Sequence, residues 1–208
     1  MKKDTDYLQD IQEIRSLMEK SSKFISLSGW AGIFAGVFAL VGSYIALTYL
    51  DFNPQSVSVD PENKFTQQTQ IFSVIQLAML IFLLAISFAL YFTHRRAKKK
   101  DELLWTPTAK RLVLNMAVPL FTGVILILLL ISKGFIGFVA PFSLLFYGLT
   151  LFTISKFTFD EVKMLGLVEI LLGLISVYKV SLGLLFWAIG FGVVHIIYGI
   201  YVYFKYER

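Results

Sequence analysis

Apolar positions in this chain do not alternate with polar ones; they run together. Six continuous stretches stand out: Phe24 to Leu50, Ile71 to Phe92, Leu112 to Ile131, Phe135 to Ile154, Val162 to Tyr178 and Leu182 to Phe204. A helix crossing the hydrocarbon layer of a bilayer needs about 20 mostly apolar residues, and the fifth stretch is at the short end. Spanning strands would alternate with period two over about 10 residues, and none of these runs does. The pattern predicts an all-α polytopic membrane protein with six transmembrane helices filling residues 24–208.

A different periodicity precedes the first span. In DYLQDIQEIRSLMEK, residues 6–20, the side chains of Tyr7, Ile11, Ile14 and Met18 fall at spacings of 4, 3 and 4. That is one face of an amphipathic helix, within residues 1–23. A helix that binds the membrane surface is normally rich in lysine and arginine. Residues 1–20 instead carry Lys2, Lys3, Arg15 and Lys20 against Asp4, Asp6, Asp10, Glu13 and Glu19. The stripe therefore suits either the protein's own cytoplasmic face or a separate protein partner better than anionic lipid.

The connections give the order of the spans. Ser132-Lys133-Gly134 and Lys179-Val180-Ser181 are tight turns that force antiparallel neighbours. Thr106-Pro107 reads as an N-cap followed by proline at the first helical position, so the third helix should begin near Pro107. Pro119 should bend that helix. The first apolar run is 27 residues long, against roughly 7–15 for a signal-peptide core, so it is expected to remain as a helix.

Charge then orients the bundle. The chain carries a net charge of +5, with 57% of residues hydrophobic and 16% charged. If both termini are cytoplasmic, 16 of the lysines and arginines fall on the cytoplasmic side and only Lys64, Lys133 and Lys179 on the other. This positive-inside asymmetry predicts an N-in/C-in topology, with both termini cytoplasmic. It also accounts for the basic excess without a nucleic-acid partner.

Glycines mark where helices can approach closely. Gly29, Gly32 and Gly36 share one face of the first span. Gly166 and Gly173 lie in the fifth, and Gly192 and Gly199 in the sixth. They indicate packing within one bundle, with a homodimer face as the other reading. Gly190-x-Gly192 lacks the strand and third glycine of a dinucleotide fingerprint.

Polar residues inside apolar spans are costly and face the bundle interior. Glu169 stands seven residues into the fifth span and His195 nine before the end of the sixth. At 1.5 Å per residue both lie about 10–13 Å from the cytoplasmic side. Gly166, Glu169, Gly173 and Ser176 form one stripe and Ala188, Gly192, His195 and Gly199 another. The two stripes are expected to press together. Asn115 and Tyr147 reach the same layer. The expected result is an intramembrane polar cluster of Asn115, Tyr147, Glu169 and His195, serving either as a hydrogen-bonded packing element or as a proton-handling site.

Enzyme signatures are absent: there is no HExxH, GxSxG or Walker loop. The chain has no cysteine, which removes disulfides and thiolate metal sites. Of its two histidines, His94 lies at the cytoplasmic interface beside Arg95 and Arg96, which leaves no bis-histidine haem site. No metal, cofactor or catalytic residue is predicted.

Four segments carry a resemblance. IRSLMEKSSKFISLSGWAGIFAG, KRLVLNMAVPLFTG, SLLFYGLTLFTISKFTFDEVKMLGLVEILLGL and GLLFWAIGFGVVHIIYGIYVYFKYER resemble an uncharacterised family of six-span membrane proteins from Bacteroidota. The resemblance implies a bacterial inner membrane and assigns no activity. The expected function is a non-enzymatic docking, sensing or complex-subunit module acting through its cytoplasmic face. A small transporter or channel, proton-coupled through Glu169 and His195, is the alternative.

Overall fold

The computed structural model describes residues 28–50, 52, 64–99 and 105–208, with the backbone alone for 64–68. The stripe of Tyr7, Ile11, Ile14 and Met18 lies outside the described residues. Among the described residues the chain is all-helical, without strands. Five long helices come first: α1 (Gly29–Thr48), α2 (Lys64–Lys99), α3 (Pro107–Ser132), α4 (Val139–Ile154) and α5 (Asp160–Tyr178). The last, α6, covers 183–206 and changes winding along its length. It is α-helical over Gly183–Trp187, π-helical over Ala188–Val194 and α-helical again over His195–Tyr206.

Local chemistry explains several boundaries. Thr106 caps α3, its side chain accepting from the Ala109 N–H at 3.1 Å, with Pro107 following at the first helical position. Gly134 takes the left-handed conformation, φ 81°, that turns the chain from α3 toward α4. α2 runs beyond the apolar stretch at both ends. No glycine or proline interrupts it, and Arg96, Lys98 and Lys99 in its last turn complement the helix dipole. Pro119 lies inside a helix assigned without a break from Pro107 to Ser132.

Five segments are long and apolar enough to cross a membrane: Gly29–Thr48, Thr69–Lys99, Pro107–Ser132, Ile136–Phe157 and Val180–Tyr206. The remaining helix, α5, has 19 residues, about 28 Å at 1.5 Å each. Asp160, Glu161, Lys163 and Glu169 reduce its apolarity. The chain is thus a multi-pass membrane protein with five to six spans. Its surface agrees with that reading. Leu114, Val118, Phe121, Ile125 and Leu128 follow one face of α3, each more than half exposed. Water would not tolerate such a stripe, whereas hydrocarbon does.

Leu151, Ile154, Phe159, Val162, Leu165 and Val202 form an apolar core cluster, and at the helix seams small residues let backbones come close together. The most extensive contact is α4 on α5, followed by α1 on α6, α3 on α4 and α1 on α2. α5 and α6, though consecutive, touch much less. The glycines show why. A Cβ on Gly148 would stand 2.7 Å from the Gly166 carbonyl oxygen, and one on Gly166 2.8 Å from that of Gly148. A Cβ on Gly29 would meet the Gly199 carbonyl, and one on Gly36 that of Gly192. Contrary to the expectation from the sequence, the glycine stripes of α5 and α6 do not press on each other. Gly166 and Gly173 face α4, while Gly192 and Gly199 face α1. Because α6 covers Gly29, Gly32 and Gly36, that face of α1 is not open for a homodimer.

Candidate functional site

Glu169 has no exposed surface, and His195 is 5% exposed. Glu169 leaves α5 between the turns that pack on α4 and points at the π-helical part of α6. Gly190 makes room for it: a Cβ there would stand 2.5 Å from Glu169 Oε2 and 2.6 Å from Leu144 Cδ2. The sequence marks Gly190, with Gly192 and Gly199, as a packing glycine of the sixth span, but nothing in it shows that the group it makes room for is the Glu169 carboxyl.

His195 joins three helices. Its Nδ1 lies 2.9 Å from the Gly190 carbonyl oxygen. Its Nε2 lies 2.9 Å from the Tyr147 hydroxyl on α4. Glu169 Oε1 stands 3.3 Å from the same Nδ1. A carbonyl oxygen only accepts, so Nδ1 carries the hydrogen it donates to Gly190. In the neutral ring the Tyr147 hydroxyl then donates to Nε2. Neither Glu169 oxygen has a hydrogen-bond partner among the described residues. An aromatic column continues from this point. Phe191 stacks on the imidazole at 5.8 Å and lies tilted against Tyr147 at 4.9 Å, and Trp187 follows at 5.1 Å from Phe191.

Asn115 does not join the cluster. Its amide donates to the Arg111 carbonyl at 2.7 Å, four residues back on its own helix. An asparagine in a membrane helix can satisfy itself locally, so matching depth alone is not enough to recruit it. Tyr147, Glu169 and His195 are brought together. His94 is exposed. Among the described residues no group of three or more His, Cys, Asp or Glu forms a candidate metal site. A cavity of about 220 Å³ opens between α1, α2, α4 and α6, lined by apolar groups such as Ile81, Ala140 and Trp187. Its lining includes none of Glu169, His195 and Tyr147.

A second polar cluster lies where the starts of α1 and α5 meet the ends of α2 and α6. Glu207 accepts from Arg96 Nη1 at 3.1 Å, from Ser28 Oγ at 3.2 Å and from the Gly29 N–H. It thereby caps the start of α1, where the Ser28 side chain makes no cap of its own. Arg96 Nη2 donates to the Tyr206 carbonyl at 3.3 Å, and its guanidinium lies 5.7 Å from the Phe159 ring centre. Phe159 stacks on Tyr206 at 4.2 Å, and the Tyr206 hydroxyl donates to Glu161 at 3.1 Å. Burial acts to raise the Glu161 carboxyl, but hydrogen bonds from Lys205, its own backbone and Tyr206, together with the Lys205 charge, hold it below the usual range. In the sequence Arg96 counts only as one of the basic residues that orient the bundle, and Glu207 carries no signal. Nothing in their local pattern marks them as a buried pair.

No known protein family matches the chain, and neither a curated protein nor a solved structure matches it.

Proposed function

We propose that this is a six-span protein of a bacterial inner membrane, with both termini cytoplasmic, acting as a non-enzymatic docking, sensing or complex-subunit module through its cytoplasmic face. The observation that carries this reading is the clasp around Glu207. It ties the ends of α1, α2, α5 and α6 into one platform that includes Ser28. A membrane protein that presents a fixed surface needs its helix ends locked in this way; one that rocks between two open states needs them free to move. The complete burial of Glu169 agrees with a closed core.

The deciding experiment uses the N-terminal stripe. Ile14→Asp should release a co-purifying protein while leaving the thermal stability of the detergent-solubilised bundle unchanged. An unchanged set of co-purifying proteins, combined with a lower melting temperature, would mean that the stripe packs on its own bundle, and the docking reading would fall.

Orientation is tested separately, and the absence of cysteine gives a clean background. In sealed cells, Lys133→Cys should react with a membrane-impermeant thiol reagent, whereas Lys99→Cys and Lys156→Cys should not. Labelling of Lys99→Cys would reverse the topology.

One observation favours a second reading, a small transporter or channel coupled to protons. Glu169 is a fully buried acid without a hydrogen-bond donor and stands beside an imidazole. Such groups often mark proton pathways.

A further inference from the structure

At the end of the bundle opposite the Glu207 clasp the helices do not close. α2 packs extensively on α1 alone, with the Ile81 side chain lying over Gly42. From Thr69 to Arg95 it has no buried residue. Across from it, small side chains leave the cavity of about 220 Å³, which is open on one side. Ser43 and Ala46 on α1, Ala78 on α2, and Ala140 and Ser143 on α4 line the space, and Trp187 on α6 forms one wall. Small residues in membrane helices let backbones draw together, as Gly148 and Gly166 do at the α4–α5 seam. Here no helix among the described residues fills the room they leave.

The chemistry of the wall decides what can fill it. Both serines have spent their hydrogens, Ser43 on the Ala39 carbonyl at 2.8 Å and Ser143 on the Ala140 carbonyl at 2.7 Å. A buried water needs two to four polar partners, and an almost wholly apolar wall does not supply them. A polar or charged ligand would lose its hydrogen bonds to water and gain none. In a soluble protein an apolar cavity of about 150 Å³ stays dry and accepts benzene. A cavity open to a bilayer has hydrocarbon at its mouth, and wall atoms without neighbours forfeit dispersion contacts. The depth also fits. The lining of α2 runs from Ile71 to Ile81, about 15 Å at 1.5 Å per residue, which is half of a hydrocarbon core about 30 Å thick. The cavity therefore spans one leaflet.

We propose that this cavity is a lipid-chain site. It holds a segment of one acyl chain of a bilayer phospholipid, which enters sideways between α2 and α4, two helices that make no extensive contact. The headgroup stays at the membrane surface, and only the chain is recognised, by shape and apolarity. The site depends on neither the docking reading nor the orientation of the bundle. Failure of the Ile14→Asp assay would leave it standing.

The test reads the fluorescence of Trp187. The chain has three tryptophans, so Trp30→Phe and Trp105→Phe leave Trp187 alone. The full chain is placed in vesicles of phosphatidylcholine brominated in mid-chain and compared with the same chain in unbrominated vesicles. Bromine quenches tryptophan on contact, so Trp187 should be quenched. Ala78→Phe fills the cavity from α2, where no seam crowds the new ring, and Ser143→Leu fills it from α4. In either variant the quenching should fall by about half or more, because the added side chain takes the contacts that the acyl chain made. An unquenched Trp187 overturns the proposal. So does quenching that is equal in all three chains, which would belong to lipid passing along the outside of the bundle. If Ala78→Cys cross-links two copies while Trp187 stays unquenched, the space belongs to a second copy and the lipid site is overturned. Should the double replacement fail to fold, native mass spectrometry of the unaltered chain decides. It should retain one phospholipid on release from detergent that Ala78→Phe does not, and equal retention overturns the site.

Discussion

His195→Leu should be the most damaging single change in the membrane interior, costing on the order of 3–5 kcal/mol of stability. The reason lies in the number of groups it strands. The Gly190 carbonyl loses its side-chain donor, the Tyr147 hydroxyl loses its partner, and Glu169 loses its imidazole neighbour. Each stranded buried group is expected to cost about 1–3 kcal/mol. Glu169→Gln, which keeps the shape of a side chain that makes no hydrogen bond, should stay within about 1 kcal/mol of wild type. Glu169→Leu is the informative comparison. Depth and charge alone rank it as severe, because an acid–imidazole pair would be broken. The geometry ranks it below His195→Leu, because the imidazole keeps both of its partners. Thermal unfolding of the three variants in one detergent gives the order directly. If Glu169→Leu proved as costly as His195→Leu, the imidazole would depend on the carboxyl and the assignment of Nδ1 to Gly190 would be wrong.

The contrast between these variants shows what the sequence could and could not convey. The spans were legible because each is a continuous apolar run, and the start of α3 followed from the Thr106 cap and Pro107. Depth could be counted from the span ends at 1.5 Å per residue. Tyr147, Glu169 and His195 do meet in one layer. What depth could not convey was azimuth and neighbour order. Chain order makes α5 and α6 neighbours, yet α6 lies mainly on α1 and α5 mainly on α4. Close packing of helices from opposite ends of a chain is decided by which small-residue faces fit, a property of pairs of surfaces rather than of either segment. Asn115 was misassigned for a related reason: its carbonyl partner is on its own helix, four residues back. Arg96 and Glu207 are separated by 111 positions, and only the fold reveals that they pair, with Arg96 buried and Glu207 partly so.

The glycine seams carry the second large effect, and they test the neighbour order independently of any polar residue. Gly148→Ala and Gly166→Ala should each destabilise by about 1–3 kcal/mol or more, the range for forcing extra volume into a packed core. Helix propensity runs the other way, since alanine is favoured over glycine by about 1 kcal/mol in a helix interior. Packing should win because the obstacles are backbone atoms. The new Cβ would meet the Gly166 carbonyl and the Ile170 N–H in one case, and the Gly148 carbonyl and the Phe152 N–H in the other, all at 2.7–2.8 Å. No rotamer change can relieve such contacts, so α4 and α5 must separate. Gly183→Ala is the matched control. Its nearest obstacle is at 3.6 Å, so the propensity gain should appear as no loss, or as a slight rise, in melting temperature. Gly36→Ala probes the other seam, where the Gly192 carbonyl stands 2.5 Å from the new atom, and it should behave like Gly148→Ala. A disulfide-free chain with no soluble core depends on these contacts for its shape, because lipid supplies no hydrophobic drive for helices to associate. If Gly148→Ala and Gly36→Ala were both tolerated as well as Gly183→Ala, neither seam could have the spacing seen here. The pairing of α1 with α6 and of α4 with α5 would then have to be abandoned.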